Sequence, residues 1–213
     1  MQAAIISNGY IRDYEFIRNV VFYADLVICA DGGARHACRM GIVPDIVIGD
    51  LDSMDDNVKD LLIKKNVEII KYPTEKDETD TQLAVEYAIR KKCEEIVMIG
   101  CLGNRFDHSF ANVCLLKYMM DRGLKGKIVN ENNEIYLIGD NDSIQLTGEI
   151  GEKVSLLPMS DYADGVTTEG LYYKLENARI PLGISYGISN VFIAPKVKIS
   201  IKQGLLLIIK AKD

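Results

Sequence analysis

Leu26-Val27-Ile28-Cys29-Ala30-Asp31-Gly32-Gly33-Ala34 decides the fold class of the first half of the chain. Five apolar residues in a row read as a strand buried on both faces, because a strand with one wet face would alternate. The run stops at an acid and two glycines, residues that let a backbone turn. The same pattern recurs on either side. Ala3-Ala4-Ile5-Ile6-Ser7 precedes it; Ile46-Val47-Ile48, Val67-Glu68-Ile69-Ile70, Glu95-Ile96-Val97-Met98-Ile99 and Lys127-Ile128-Val129 follow. Between these runs lie helical patterns. Residues 58–65 place Val58, Leu61 and Leu62 on one face, 81–92 place Leu83, Ala84, Tyr87 and Ala88, and 110–120 place Phe110, Val113, Cys114 and Tyr118. Strands alternating with helices predict right-handed crossovers and an α/β layer built on a parallel sheet.

The pattern changes at Asn130-Glu131-Asn132-Asn133-Glu134. Beyond this polar stretch no helical stripe is evident. Residues 134–138, 143–146, 153–157, 172–175, 191–193, 197–201 and 205–209 are strand-like, and Val197-Lys198-Ile199-Ser200-Ile201-Lys202 alternates cleanly. Many short strands separated by Gly, Asp and Asn suggest a small sandwich or barrel. The expected division is an α/β domain over 1–132 and an all-β domain over 133–213.

Composition narrows the function. Lys plus Arg number 25 and Asp plus Glu 31, a net charge of −6, which argues against a nucleic-acid protein relying on a basic surface. No apolar run approaches the roughly 20 residues of a membrane-spanning helix. The first residues lack the positive region of a signal peptide. The five cysteines, Cys29, Cys38, Cys93, Cys101 and Cys114, form no Cys-x-x-Cys pair and read as reduced packing residues, which suits a cytoplasmic protein. With only His36 and His108, a histidine-based zinc site has little support. P-loop and Gly-x-Gly-x-x-Gly motifs are missing.

Ligands of open α/β sheets bind at the carboxyl ends of the strands. Here those ends are acidic: Asp31-Gly32-Gly33, Gly49-Asp50-Leu51-Asp52-Ser53, Thr74-Glu75-Lys76-Asp77-Glu78-Thr79-Asp80 and Gly103-Asn104-Arg105-Phe106-Asp107-His108. Gathered carboxylates repel unless a cation sits among them. Magnesium suits oxygen ligands and shares its sphere with phosphate. Each loop also has a plainer reading. Asp50-x-Asp52-Ser53 could cap the next helix, Thr79 and Gln82 could form a capping box with Asp80 favouring the helix start, and Asp107 could cap a helix or orient Arg105. Gly32 and Gly33 allow a close backbone approach. Lys76 could meet phosphate as a point charge, and Arg105 could clamp it through two donors. His108 could be a base or a structural residue. Four such loops in succession favour a metal–phosphate site.

The ordered set resembles the thiamine pyrophosphokinase family. It runs through Ala30-Asp31-Gly32-Gly33-Ala34, Pro44-Asp45 with Gly49-Asp50-Leu51-Asp52-Ser53, Lys76-Asp77-x-Thr79-Asp80 and Gly103-x-Arg105-x-Asp107-His108. It continues with Thr168-x-Gly170-Leu171-x-Tyr173-x-Leu175 and Gly187-Ile188-Ser189-Asn190. The resemblance implies a Rossmann-like catalytic domain, a C-terminal β-sandwich, a homodimer, and transfer of the terminal diphosphate of ATP to the hydroxyl of thiamine with release of AMP. It implies magnesium held by Asp31, Asp50, Asp52 and Asp80. The catalytic set is Asp50, Asp52, Asp80 and Arg105, with Asp80 as the candidate proton acceptor. Asp31, Gly32, Gly33, Lys76, Asp77, Thr79, Arg105, Asp107 and His108 fall on the ATP side. Ser189 and Asn190 fall on the thiamine side, across a dimer interface. Asn104 stands where relatives often have Gly, and Asn tolerates the left-handed backbone such a turn can require. Val191 stands where an acid is frequent. With no Trp in the chain, an aromatic face for the thiazolium would come from Tyr172, Tyr173 or Phe192.

Overall fold

In a computed structural model, which describes residues 1–50 and 54–212, every apolar run of the first half becomes a strand within two residues of its expected place. The order is β1 (Gln2–Ile6), α1 (Tyr14–Val21), β2 (Leu26–Ala30), α2 (Gly33–Arg39), β3 (Ile46–Gly49), α3 (Asp56–Lys64), β4 (Glu68–Lys71), α4 (Asp80–Arg90), β5 (Glu95–Ile99), α5 (Phe106–Met120) and β6 (Lys125–Val129). The chain divides into two units, Met1–Glu131 and Asn132–Asp213.

In the first unit the strands pair in parallel in the order β6-β5-β1-β2-β3-β4. β1, β2, β3 and β5 are buried almost throughout, which is why their sequences are continuous apolar runs; β4, at the edge, is half exposed. The chain steps outward from β1 to β4, then returns to the other side of β1 as β5. That reversal opens a crevice at the carboxyl ends of β1 and β5.

Helices α1 and α2 add to the helical patterns read from the sequence. Helix α1 is amphipathic, burying Ile17 and Val21, one turn apart, in the core. Asp13 starts it, its carboxylate accepting the Phe16 N–H at 2.9 Å. Helix α2 is seven residues long, opens on glycine and buries small side chains. Gly33 is required there, because a Cβ would overlap the Ile6 carbonyl at the end of β1.

The second unit contains β7 (Asn133–Ile138), β8 (Ser143–Thr147), β9 (Lys153–Pro158), β10 (Tyr162–Glu169), β11 (Ala178–Pro181), β12 (Asn190–Val191), β13 (Lys196–Ser200) and β14 (Leu206–Ala211). They form antiparallel sheets ordered β12-β9-β14-β7 and β11-β10-β13-β8. Val154, Leu156, Leu206 and Ile208 of one sheet share a core with Leu146, Val166, Val197 and Ile199 of the other, so the fold is a sandwich. Lys210, buried in β14, is paired with Glu152 at 3.1 Å and bonded to the Thr147 carbonyl at 2.9 Å.

Two expectations are corrected here. Residues 172–175 are not a strand. Among the described residues, only the Tyr172 N–H and the Leu175 carbonyl bond strand backbone, at Val191 and Thr168. Side chains take the other bonds a partner strand would supply: Tyr173 N–H donates to Asn190 Oδ1 (2.9 Å), Asn190 Nδ2 donates to the Tyr173 carbonyl (2.7 Å), and Leu175 N–H donates to Thr168 Oγ1 (2.9 Å). Phe192 is wholly buried at 0% exposure and presents no face to a ligand. β10 is hidden in the sequence because Asp164-Gly165 interrupts its alternation, at a register shift against β11.

Candidate active site

Five strand ends of the first unit surround one cleft of about 580 Å³. Ser7, Asn8, Gly9 and Tyr10 enter it after β1, Asp31 after β2 and Asp50 after β3. Thr74, Lys76, Glu78, Thr79 and Asp80 enter before α4, and Gly100, Cys101, Gly103, Asn104 and Arg105 after β5; His108, Ser109 and Asn112 come from α5. Of the residues singled out from sequence, Asp31, Asp50, Lys76, Thr79, Asp80, Arg105 and His108 line the cleft. Gly32, Gly33, Asp77 and Asp107 are not on its wall. Asp52, with Leu51 and Ser53, lies outside the described residues. Ser189 and Asn190 belong to the second unit.

Local structure explains each placement. Asp31 sits at φ 44°, a left-handed conformation for a non-glycine residue, which turns the chain sharply at the end of β2. Helix α3 begins at Asp56 with Asp55 at its N-cap, so Asp50 is not that helix's cap. Thr79 caps α4, its hydroxyl accepting the Gln82 N–H at 3.2 Å. Half of the expected capping box forms, since the Gln82 amide turns to Glu86 instead. Asp80 is the first helical residue, where a carboxylate is favoured by the helix dipole. Lys76 Nζ donates to Asp80 Oδ1 at 2.7 Å, and this pair is well shielded, with side chains 13% and 25% exposed.

Beneath the carboxylates lies a buried polar floor with no acid in it. Ser7 and Thr81 share a hydrogen bond between their hydroxyls at 2.9 Å, and Cys101 Sγ lies 3.5 Å from Ser7 Oγ. Burial pushes the Cys101 thiol up to about 12, so it stays protonated. Asn112 Nδ2 donates to the Cys101 carbonyl at 2.8 Å. Gly9 N–H donates to the Gly100 carbonyl at 2.8 Å, and Gly100 takes φ 64°. These contacts lock the ends of β1 and β5 to the first turn of α4.

The opposite rim is different. Arg105 Nη2 and Nε donate to the two oxygens of Asp107 at 2.6 and 3.3 Å, with side chains 72% and 65% exposed. That hydrogen-bonded guanidinium holds the Asp107 carboxyl down to about 2. Asp107 therefore orients Arg105 and is not the cap of α5, whose N-cap position is Arg105 itself. Asn104 keeps a negative φ; its turn is tied instead by Ser109, whose hydroxyl accepts the Gly103 N–H at 3.0 Å.

Among the described residues, no three carboxylate, histidine or cysteine side chains converge tightly enough to hold a metal alone. Asp31, Asp50 and Asp80 nevertheless present only oxygen donors to one cleft. That donor chemistry fits magnesium, which keeps several waters and completes its sphere with substrate phosphates.

In the second unit, Ser189 takes φ 55° and donates its N–H to Ser155 Oγ at 3.1 Å. Asn190 is 3% exposed and both ends of its amide are bonded to Tyr173. The segment it holds presents Tyr172 and Tyr173 at the surface, their rings edge to face at 5.0 Å.

Sequence reasoning missed the β1 loop and Thr81. Ser7-Asn8-Gly9 carries no charge to draw attention, although a polar turn ending a buried strand is itself a site signal under the strand-end rule.

Comparison with known proteins agrees with this geometry. Residues 17–129 match the thiamin pyrophosphokinase catalytic domain, and 142–206 match the thiamin pyrophosphokinase vitamin B1 binding domain. The chain is 29% identical over 188 residues to a thiamine pyrophosphokinase of Bacillus subtilis (strain 168), covering 88% of each chain. A crystal structure of thiamine pyrophosphokinase from Bacillus subtilis superposes with a TM-score of 0.89 at 26% identity, covering 100% of both chains. One of thiamin pyrophosphokinase from Geobacillus thermodenitrificans gives 0.86 at 26% identity, covering 100% of this chain and 98% of that one. With the catalytic-domain match alone spanning more than half its length, the chain belongs to the thiamine pyrophosphokinase family.

Proposed function

We propose that the chain transfers the terminal diphosphate of ATP to the hydroxyl of thiamine, giving thiamine diphosphate and AMP. The observation that carries this reading is the meeting of five strand ends in one cleft with carboxylates on one side and an oriented arginine on the other. The hydroxyl oxygen of thiamine forms a bond to the β-phosphorus of ATP, and the bond from that phosphorus to the oxygen shared with the α-phosphorus breaks. The hydroxyl proton passes to a carboxylate of the cleft. In-line reactions of this kind are accelerated mainly by positioning and by charge stabilisation.

Asp31, Asp50 and Asp80, with Asp52, would hold magnesium. When bound, the metal neutralises the phosphate oxygens and favours departure of AMP. Arg105, aligned by Asp107, meets the charge that builds up during transfer. Thr79 and the floor of Ser7 and Thr81 fix the helix start on which Asp80 stands.

For thiamine, Tyr172 and Tyr173 offer exposed aromatic faces to a cation, and Ser189 precedes Asn190, whose amide is bonded to the Tyr173 backbone. Asn190 acts through the Tyr173 backbone and need not touch the substrate. A homodimer fits the exposed apolar series Leu182, Ile184, Tyr186, Ile188 and Ile193, more than a monomer's surface needs in one stretch. In such a dimer the Ser189 segment of one subunit would serve the cleft of the other. Five free cysteines suit a reducing cytoplasm.

Incubation with ATP, magnesium and thiamine, followed by mass analysis, tests the reaction. Thiamine diphosphate and AMP in equal amounts are expected; thiamine monophosphate with ADP would overturn the assignment.

A further inference from the structure

Lys76 reaches Asp80 from the loop before α4 in a fixed pose. Its ammonium donates to Asp80 Oδ1 at 2.7 Å and to the Pro73 carbonyl at 3.3 Å. The carboxylate is equally fixed, because Asp80 opens α4 and the next residue, Thr81, is pinned to Ser7. Largely shielded from water, this charge-assisted bond is stronger than a surface pair. Yet both side chains face the cleft, where a triphosphate and its metal would lie. Two cations drawing on one carboxylate oxygen repel each other, and magnesium demands short, well-directed oxygen contacts. A lysine is well suited to give way, since its compact charge rides on a flexible four-carbon stem.

We propose that Lys76 is a displaceable counter-ion. It holds Asp80 until a divalent cation arriving with the nucleotide takes the Asp80 carboxylate, and the released ammonium moves onto the triphosphate. Metal and nucleotide binding are then coupled: the protein alone resists the metal, and the phosphate charge lifts that resistance. The proposal rests on the reading that Asp80 is a metal ligand.

Direct binding of Mn²⁺, followed by loss of its free electron paramagnetic resonance signal, tests this without turnover. Titrations are run on the whole protein with and without α,β-methylene-ATP, whose bond at the reacting position resists cleavage. The wild type should bind Mn²⁺ weakly alone and more tightly with the analogue. Lys76→Met should bind Mn²⁺ alone on the order of five-fold more tightly than wild type, and the analogue should add less. Lys76→Arg should keep the wild-type behaviour, and Lys76→Gln replaces Lys76→Met if the latter melts early. Asp80→Asn should bind Mn²⁺ poorly with or without the analogue. If Asp80→Asn loses affinity while Lys76→Met and Lys76→Gln gain none, the counter-ion role is wrong and the metal reading stands. If Asp80→Asn binds Mn²⁺ like wild type, Asp80 is no ligand, and both fall.

Discussion

Two helices begin at the same cleft, α4 at Asp80 and α5 at Phe106, and each carries an ion pair at its start. At α4 the pair is Lys76–Asp80, 13% and 25% exposed, over a buried floor of hydroxyls; at α5 it is Arg105–Asp107, 72% and 65% exposed, in open water. The first is shielded from water, so its removal should lower the melting temperature as well as the activity while the native fold is kept. The second holds an arginine in place but adds little to stability, because solvent screens it. Proximity to a site therefore does not make two ion pairs equivalent; shielding decides which one the fold depends on.

The comparison can be broken most severely at the carboxylates. Asp50→Asn and Asp80→Asn each replace a charged oxygen by a neutral amide of nearly the same shape. Each should lower kcat by about 10²- to 10³-fold. Circular dichroism should remain native. Steady-state rates at limiting magnesium check this, and near-normal turnover would make these acids structural. Arg105→Met should come next, lowering kcat/KM by roughly 10- to 100-fold while leaving the thermal melt unmoved. A clear loss of melting temperature would show that the exposed pair matters to the fold after all.

The floor beneath α4 sharpens the contrast from the stability side. Thr81→Val leaves the buried Ser7 hydroxyl without that partner and should cost about 1–3 kcal/mol in a urea melt. Ser7→Ala should cost a similar amount, and the double variant less than the sum, since the two share one bond. Full additivity would mean the hydroxyls do not act together.

The smallest expected effect concerns His36, 5% exposed, whose Nδ1 lies 2.8 Å from Tyr14 Oη. Burial, with Arg35 and Arg39 nearby, holds its pKa below the usual imidazole value. The unfolded chain therefore takes up a proton more readily than the folded one. Its contribution is complete above the unfolded pKa of about 6.5 and is lost as pH falls below that toward the folded value. Wild-type melting temperature should fall more between about pH 7.5 and 5.5 than that of His36→Gln. Parallel curves would remove His36 from the account.

Legibility in the sequence followed the same division between charged and uncharged, long and short. The buried strands were readable because a strand wet on neither face needs an unbroken apolar run, and Asp31 and Asp50 stood out as acids at the ends of such runs, Asp80 as the last acid of the loop before α4. The Ser7–Thr81–Cys101 floor was not readable, because hydroxyls and thiols occur everywhere and their pairing spans 74 positions between Ser7 and Thr81. Helix α2 escaped because it opens on Gly33 and buries alanines. Residues 172–175 misled because only isolated backbone bonds tie them to β10 and β12, the rest being made by Asn190 and Thr168 side chains.

The reaction itself is tested most directly with ATP carrying ¹⁸O at the oxygen bridging the α- and β-phosphorus, supplied with magnesium and thiamine. Attack at the β-phosphorus leaves that oxygen on the departing nucleotide. The expected result is all of the label in AMP and none in thiamine diphosphate. Label carried into the thiamine product would contradict attack at the β-phosphorus, and its retention in ADP would contradict transfer of the diphosphate as a unit.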